Sequence, residues 1–144
     1  MQFSQEADAS TYVIRGYGPG EVTISEPIST ETIMSWNENS SGPFVNRRTL
    51  TSSALIAPKQ LITGWRPETV TTLSAGDLHA VTELDPEIVI LGTGKKLVWP
   101  PLDLLQPLYQ SGIGVEVMDT AAACRTYNIL MFEGRKVVAA LMMI

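Results

Sequence analysis

The chain has 144 residues, 44% of them hydrophobic and 17% charged, with a net charge of −5; this balance suits one packed domain, residues 1–144, and excludes a disordered tail. A domain of this length buries roughly 68–70% of its unfolded surface, so its core needs no metal or disulfide. With one cysteine, Cys124, and one histidine, His79, neither an internal disulfide nor a Cys/His zinc site can form, and no cofactor is implied. An acidic chain with adjacent basic pairs such as Arg47-Arg48 and Lys95-Lys96 offers a poor phosphate-binding surface, so nucleic acid is not an expected partner. The start, Met1-Gln2-Phe3-Ser4-Gln5-Glu6, lacks the basic-then-apolar layout of a signal peptide. The longest clean apolar run, Val137 to Ile144, is far too short to span a bilayer. The expected location is therefore the cytoplasm, without membrane insertion.

Residues 1–10 are polar and read as a frayed start. Thr11 to Tyr17 alternates and is rich in β formers, Gly18-Pro19-Gly20 is turn chemistry, and Glu21 to Ser25 alternates again, which predicts a hairpin or two neighbouring strands. A short strand at Thr32–Trp36 precedes a polar loop over 37–43. Phe44–Thr49 and Ser52–Ala57 are further strand candidates, the second ended by Pro58, and Leu61-Ile62 leads into the turn Gly64-Trp65-Arg66-Pro67.

The character changes near residue 70. Leu78, Val81 and Leu84 recur at helical spacing behind Ser74, a good N-cap, and Asp85-Pro86 stops that helix. Ile88-Val89-Ile90-Leu91 is a continuous β-branched run, as expected of a strand buried on both faces, and Gly92-Thr93-Gly94 ends it. Pro101 to Ser111 reads as a short or kinked helix, because Pro107 lies inside it, with Gly112 closing it. Val115–Met118 is the next strand, Asp119 or Thr120 caps a helix to about Phe132, and Lys136–Met142 is the last strand.

Strands separated by helices at this spacing are parallel with right-handed crossovers. Gly92-Thr93-Gly94-Lys95 and Met118-Asp119-Thr120 then share the carboxyl-terminal edge of the sheet, where ligands of open α/β sheets bind. The free N–H groups at the start of the last helix make an anion site there. Against this, Gly-Thr-Gly is not the dinucleotide fingerprint, Lys95-Lys96 reads equally as a solvated pair, and the charge of Asp119 repels an anion. On the last helix Thr120, Cys124 and Asn128 share one face, with Arg125 beside it. Cys124 is a nucleophile only with a lowered pKa and otherwise a core residue. Glu116, in a strand that reads as buried, needs a partner, and Arg125 is the candidate. His79 reads as surface or satisfied core. No Ser/His/Asp set, metal motif or P-loop is present, which counts against an enzyme.

The runs Ile88-Val89-Ile90-Leu91-Gly92-Thr93-Gly94, Gly112-Ile113-Gly114-Val115-Glu116-Val117-Met118-Asp119-Thr120 and Ala122-Ala123-Cys124-Arg125-Thr126-Tyr127-Asn128 together resemble the domain-of-unknown-function 498 family. The likeness extends over about residues 11–143, through Tyr17-Gly18-Pro19-Gly20 and Ala54-Leu55-Ile56-Ala57-Pro58, with residues 26–46 as an insertion. It implies a compact three-layer α/β domain with a central mixed sheet, a β-rich first half and then α-β-α-β-α-β. The family's recurrent residues fall on Gly92, Gly94, Glu116, Asp119, Thr120, Cys124 and Asn128. One mitochondrial member is an assembly factor for respiratory complex I, which implies a binding or assembly protein acting on a protein partner. The alternative is a small-molecule site, or an enzyme, at the Gly92–Lys95 and Asp119–Asn128 edge. A homodimer is compatible with the sequence, which does not demand one.

Overall fold

The apolar strand residues sort into two buried clusters by parity, and that parity defines the layers. The computed structural model describes residues 10–28 and 46–144. Within them β1 (Val13–Gly18), β2 (Glu21–Glu26) and β3 (Asn46–Leu50) form an antiparallel sheet. The second sheet contains β4 (Ala54–Ile56), β5 (Leu61–Thr63), β6 (Ile88–Thr93), β7 (Gly114–Met118) and β8 (Val137–Met142), in the order β5-β4-β8-β6-β7. It is mixed: β6 runs parallel to β7 and β8, whereas β4 is antiparallel to β5 and β8. The helices are α1 (Ala75–Thr82), α2 (Leu102–Gln110) and α3 (Thr120–Phe132), with a single 3-10 turn at Val70–Thr72.

Ile56, Ile90, Val137, Ala139 and Leu141 face α3 and the three-stranded sheet, packing with Val22, Ile24, Ala123 and Tyr127. Their sequence neighbours Leu55, Val89, Leu91, Val138 and Ala140 face the opposite way, onto Leu78 and Val81 of α1 and Leu105 and Leu108 of α2. Successive strand residues point to opposite faces, so an unbroken apolar run is what a central strand with both faces covered requires. β8 meets that requirement throughout, with all six residues buried. The result is the expected α/β domain of three layers around a mixed central sheet.

Local chemistry sets the boundaries. Ser74 caps α1, and Asp77 three residues on completes a capping box, its carboxylate accepting from the Ser74 backbone N–H at 2.8 Å. That carboxylate also receives Arg66 bidentately, Nε on Oδ1 at 2.9 Å and Nη2 on Oδ2 at 2.5 Å, while the Trp65 indole donates to the Asp77 carbonyl. The Arg66 hydrogen bonds hold the carboxyl of Asp77 below its ordinary range. Helix α2 is short, nine residues, with Pro101 as N-cap. Pro107 and Asp103 are both exposed, so the Asp103 carbonyl that proline leaves without a donor is within reach of water.

Several expectations shift. Leu61–Thr63 is an edge strand paired with β4, too short to show a period. Gly92 and Thr93 continue β6 rather than ending it, Gly92 pairing with Met118 and Leu141. Residues 1–9, the strand expected at Thr32–Trp36 and the loop over 37–43 lie outside the described residues.

Candidate functional site

The parallel pairing of β6 with β7 and β8 brings Gly92–Lys95, Met118–Thr120 and Met142 to one edge, as the crossover argument requires. Thr120 closes that edge. Its hydroxyl accepts from the Gly94 N–H at 2.8 Å and donates to the Met142 carbonyl at 2.6 Å, and its own N–H donates to the Gly94 carbonyl at 2.9 Å. Thr120 is fully buried, so one side chain joins the ends of β6 and β8 to the start of α3. Gly92 permits that approach: a Cβ there would lie 2.9 Å from Leu141, 3.0 Å from the Thr120 hydroxyl and 3.1 Å from Ala123. Gly94 has φ +98°, a conformation glycine adopts without strain. Asp119 is the N-cap of α3, its Oδ1 accepting from the Ala122 N–H at 2.9 Å. Thr93 donates to the Lys96 carbonyl at 2.6 Å and accepts from the Val98 N–H at 3.1 Å, which fixes the turn that leaves the edge.

The shared face of α3 points inward, as its spacing predicts. Cys124 is 1% exposed, and burial pushes its thiol up to about 12, so near neutral pH it is a protonated core side chain rather than a thiolate. Asn128 clasps the backbone of β1: its Oδ1 accepts from the Ile14 N–H at 3.0 Å and its Nδ2 donates to the Ile14 carbonyl at 2.7 Å, beside the register shift between Ile14 and Gly16. The neighbouring Tyr127 hydroxyl donates to the Tyr12 carbonyl at 2.8 Å. Sequence reading placed Asn128 on the correct face but missed this clasp, because the partner is 114 residues away.

The pairing of Glu116 with Arg125 is not present. Among the described residues β7 is an edge strand, and Glu116 is exposed at the rim of the sheet, where water solvates its charge and no described side chain pairs with it. Arg125 instead donates to the Tyr17 hydroxyl and lies 5.9 Å from that ring's centre. Tyr17, Cys124, Arg125 and Asn128 line a hollow of about 180 Å³, below the roughly 300 Å³ at which small-molecule sites begin. His79 is exposed, beside Glu83 at 3.2 Å. Among the described residues no group of three metal-ligating side chains occurs and no helix is long and apolar enough to cross a membrane.

Directly after the closed edge the chain turns its apolar side chains outward. Leu97, Val98, Trp99 and Leu102 are 50%, 43%, 63% and 66% exposed, preceded by the exposed Lys95 and Lys96. Four large apolar side chains within six positions, on a turn fixed by Thr93, form a patch of the kind that marks interaction surfaces.

The family model for "Protein of unknown function (DUF498/DUF598)" matches residues 14–142. The chain belongs to this family. It is 31% identical over 122 residues to the NADH dehydrogenase [ubiquinone] 1 alpha subcomplex assembly factor 3 of Xenopus tropicalis, covering 83% of this chain and 66% of that protein. A "13 kDa major membrane protein" of Francisella tularensis is 34% identical over 68 residues, 47% of this chain and 55% of that one. The chain spans about half the length of the first curated relatives it matches. Among solved structures, a Xanthomonas campestris protein superposes with a TM-score of 0.71 at 30% identity, covering 99% of this chain and 92% of that one.

Proposed function

We propose that the protein is a non-catalytic binding protein that acts in assembly on a protein partner, with the Leu97–Leu102 patch as its contact surface. The observation that carries this reading is the exposed, pinned apolar patch beside an edge whose polar groups bond to one another. Trp99 has the character of an interface anchor, a large amphipathic ring that loses little rotamer freedom on binding. The assembly-factor relatives support the reading and make a respiratory-complex subunit the first partner to test. Against the small-molecule alternative at Gly92–Lys95 and Asp119–Asn128, the hollow beside Cys124 and Asn128 is about 180 Å³, and the nucleophile candidate, Cys124, is held protonated.

The test is affinity purification of the full chain from its native cell, alongside a Trp99→Ser/Leu102→Ser double variant. These side chains are exposed, so the variant keeps its fold. The wild type should retain one stoichiometric protein, and the variant should lose at least nine-tenths of it. A stoichiometric metabolite with no protein partner, or equal recovery by both chains, overturns the proposal.

A further inference from the structure

The opposite edge of the five-stranded sheet, at the amino ends of β6 and β8, holds a cavity of about 420 Å³ where three connections meet. These are the β4–β5 turn with Lys59, the segment after α1 with Asp85, and the α3–β8 turn with Arg135 and Lys136. Its volume lies within the range of small-molecule clefts. Its apolar lining includes the half-buried Pro58 and Leu84, together with the packed Met131, Val137 and Val138.

The rim has the opposite character. Lys59, Arg135 and Lys136 line the cavity with one acid, Asp85, while the Glu87 carboxylate pairs with Arg135 beside it. These cations are only partly occupied. The Lys59 ammonium donates to the Ser10 carbonyl at 2.6 Å, which uses one of its three protons. Arg135 gives its Nε to Glu87 at 2.7 Å, leaving its terminal nitrogens, and the charge of Lys136 acts on the same carboxylate without a hydrogen bond from its ammonium among the described residues. A wholly apolar guest would leave these donors unused. A polyanion would set charge against an apolar floor with few polar groups to satisfy it.

We propose that this cavity binds an amphiphile with one anionic head, a carboxylate or a phosphate, and an unbranched apolar chain. The head sits between Lys59 and Lys136 and accepts charge-assisted hydrogen bonds. The chain lies on Pro58 and Leu84 and covers apolar surface that water otherwise wets. The site is separate from the Leu97–Leu102 patch and does not depend on the reading given to it.

The probes are decanoate, decyl phosphate and uncharged decanol, each added to the full-length protein below its micelle-forming concentration and followed by amide NMR shifts. Saturable shifts at Lys59, Arg135, Lys136 and Val138 are expected from one or both anions, with decanol at least tenfold weaker. The tighter anion identifies the head group. A Lys59→Glu/Lys136→Glu variant, changed only at exposed positions, should bind the anions at least tenfold more weakly, and Trp99→Ser/Leu102→Ser should bind as the wild type does. Equal binding of decanol and the anions, unchanged binding by the charge variant, or shifts that never saturate would each overturn the proposal.

Discussion

The two edges of the central sheet reverse what their sequences advertise. The carboxyl edge carries the conspicuous motifs, Gly92-Thr93-Gly94 and Met118-Asp119-Thr120, and it is closed: Thr120 bonds to Gly94 and Met142, Asp119 to Ala122, and Thr93 to its own turn. The amino edge carries no motif, and it is where a 420 Å³ cavity opens beneath three cations. Residue types that suit anion binding, a glycine turn beside a helix start with a hydroxyl, serve equally to join two strand ends to a helix. Which use prevails depends on whether the hydroxyl meets a ligand or a neighbouring carbonyl, and here the Met142 carbonyl is 2.6 Å away.

Replacing Thr120 with valine is the most direct way to break the closed edge. It leaves the Gly94 N–H and the Met142 carbonyl without this partner, at about 1–3 kcal/mol each, so a loss of roughly 2–6 kcal/mol is expected. Urea unfolding should show it as a lower midpoint, with Thr120→Ser retaining most of the stability. A loss under about 0.5 kcal/mol would mean that the edge is not held by this hydroxyl.

Gly92→Ala tests the same edge through packing. The added methyl meets Leu141, Thr120 and Ala123 at 2.9–3.1 Å, and overpacking of this kind costs about 1–3 kcal/mol. The same unfolding measurement reads it, and a neutral outcome would show that α3 is free to move away from β6.

The smallest effect is expected at the amino edge. The Arg135 hydrogen bond, helped by the Lys136 N–H, holds the Glu87 carboxyl below its ordinary 4.5. A depressed carboxyl contributes stability above its unfolded value and loses that contribution as pH falls through its folded value. Glu87→Gln should therefore melt slightly below the wild type at pH 7, and the gap should close as pH falls from the ordinary 4.5 through the lower folded value. A gap that stays constant or widens in acid would remove Glu87 from the account. Glu87 is half-exposed, so screening by solvent keeps the effect small.

What was legible in the sequence follows the reach of each signal. β6 and β8 were readable because burial on both faces forces an unbroken apolar run, and α1 and α3 because Ser74 and Asp119 mark their starts. The family resemblance supplied the three layers that local pattern alone leaves open. Glu116 was misjudged because strand order is not a local property: a strand of apolar character reads the same at the centre and at the rim. The part of Asn128 depends on Ile14, and that of Asp77 on Arg66, partners that helical spacing does not reveal. The amino-edge cavity joins residues near 59, 85 and 135. Its sequence clue is the basic pair Arg135-Lys136 after Gly134, and such a pair reads equally as solvated surface charge.

The position of β8 has a consequence for how the fold is made. It follows every other described element in sequence, yet it lies in the middle of the sheet, between β4 and β6. Until residues 137–142 have left the ribosome, β4 and β5 can form only a hairpin and β6 and β7 only a parallel pair, and an isolated two-stranded piece is marginal at best in water. The sheet is therefore completed by its final insertion, and Thr120, whose hydroxyl reaches the Met142 carbonyl, fastens that strand once it arrives.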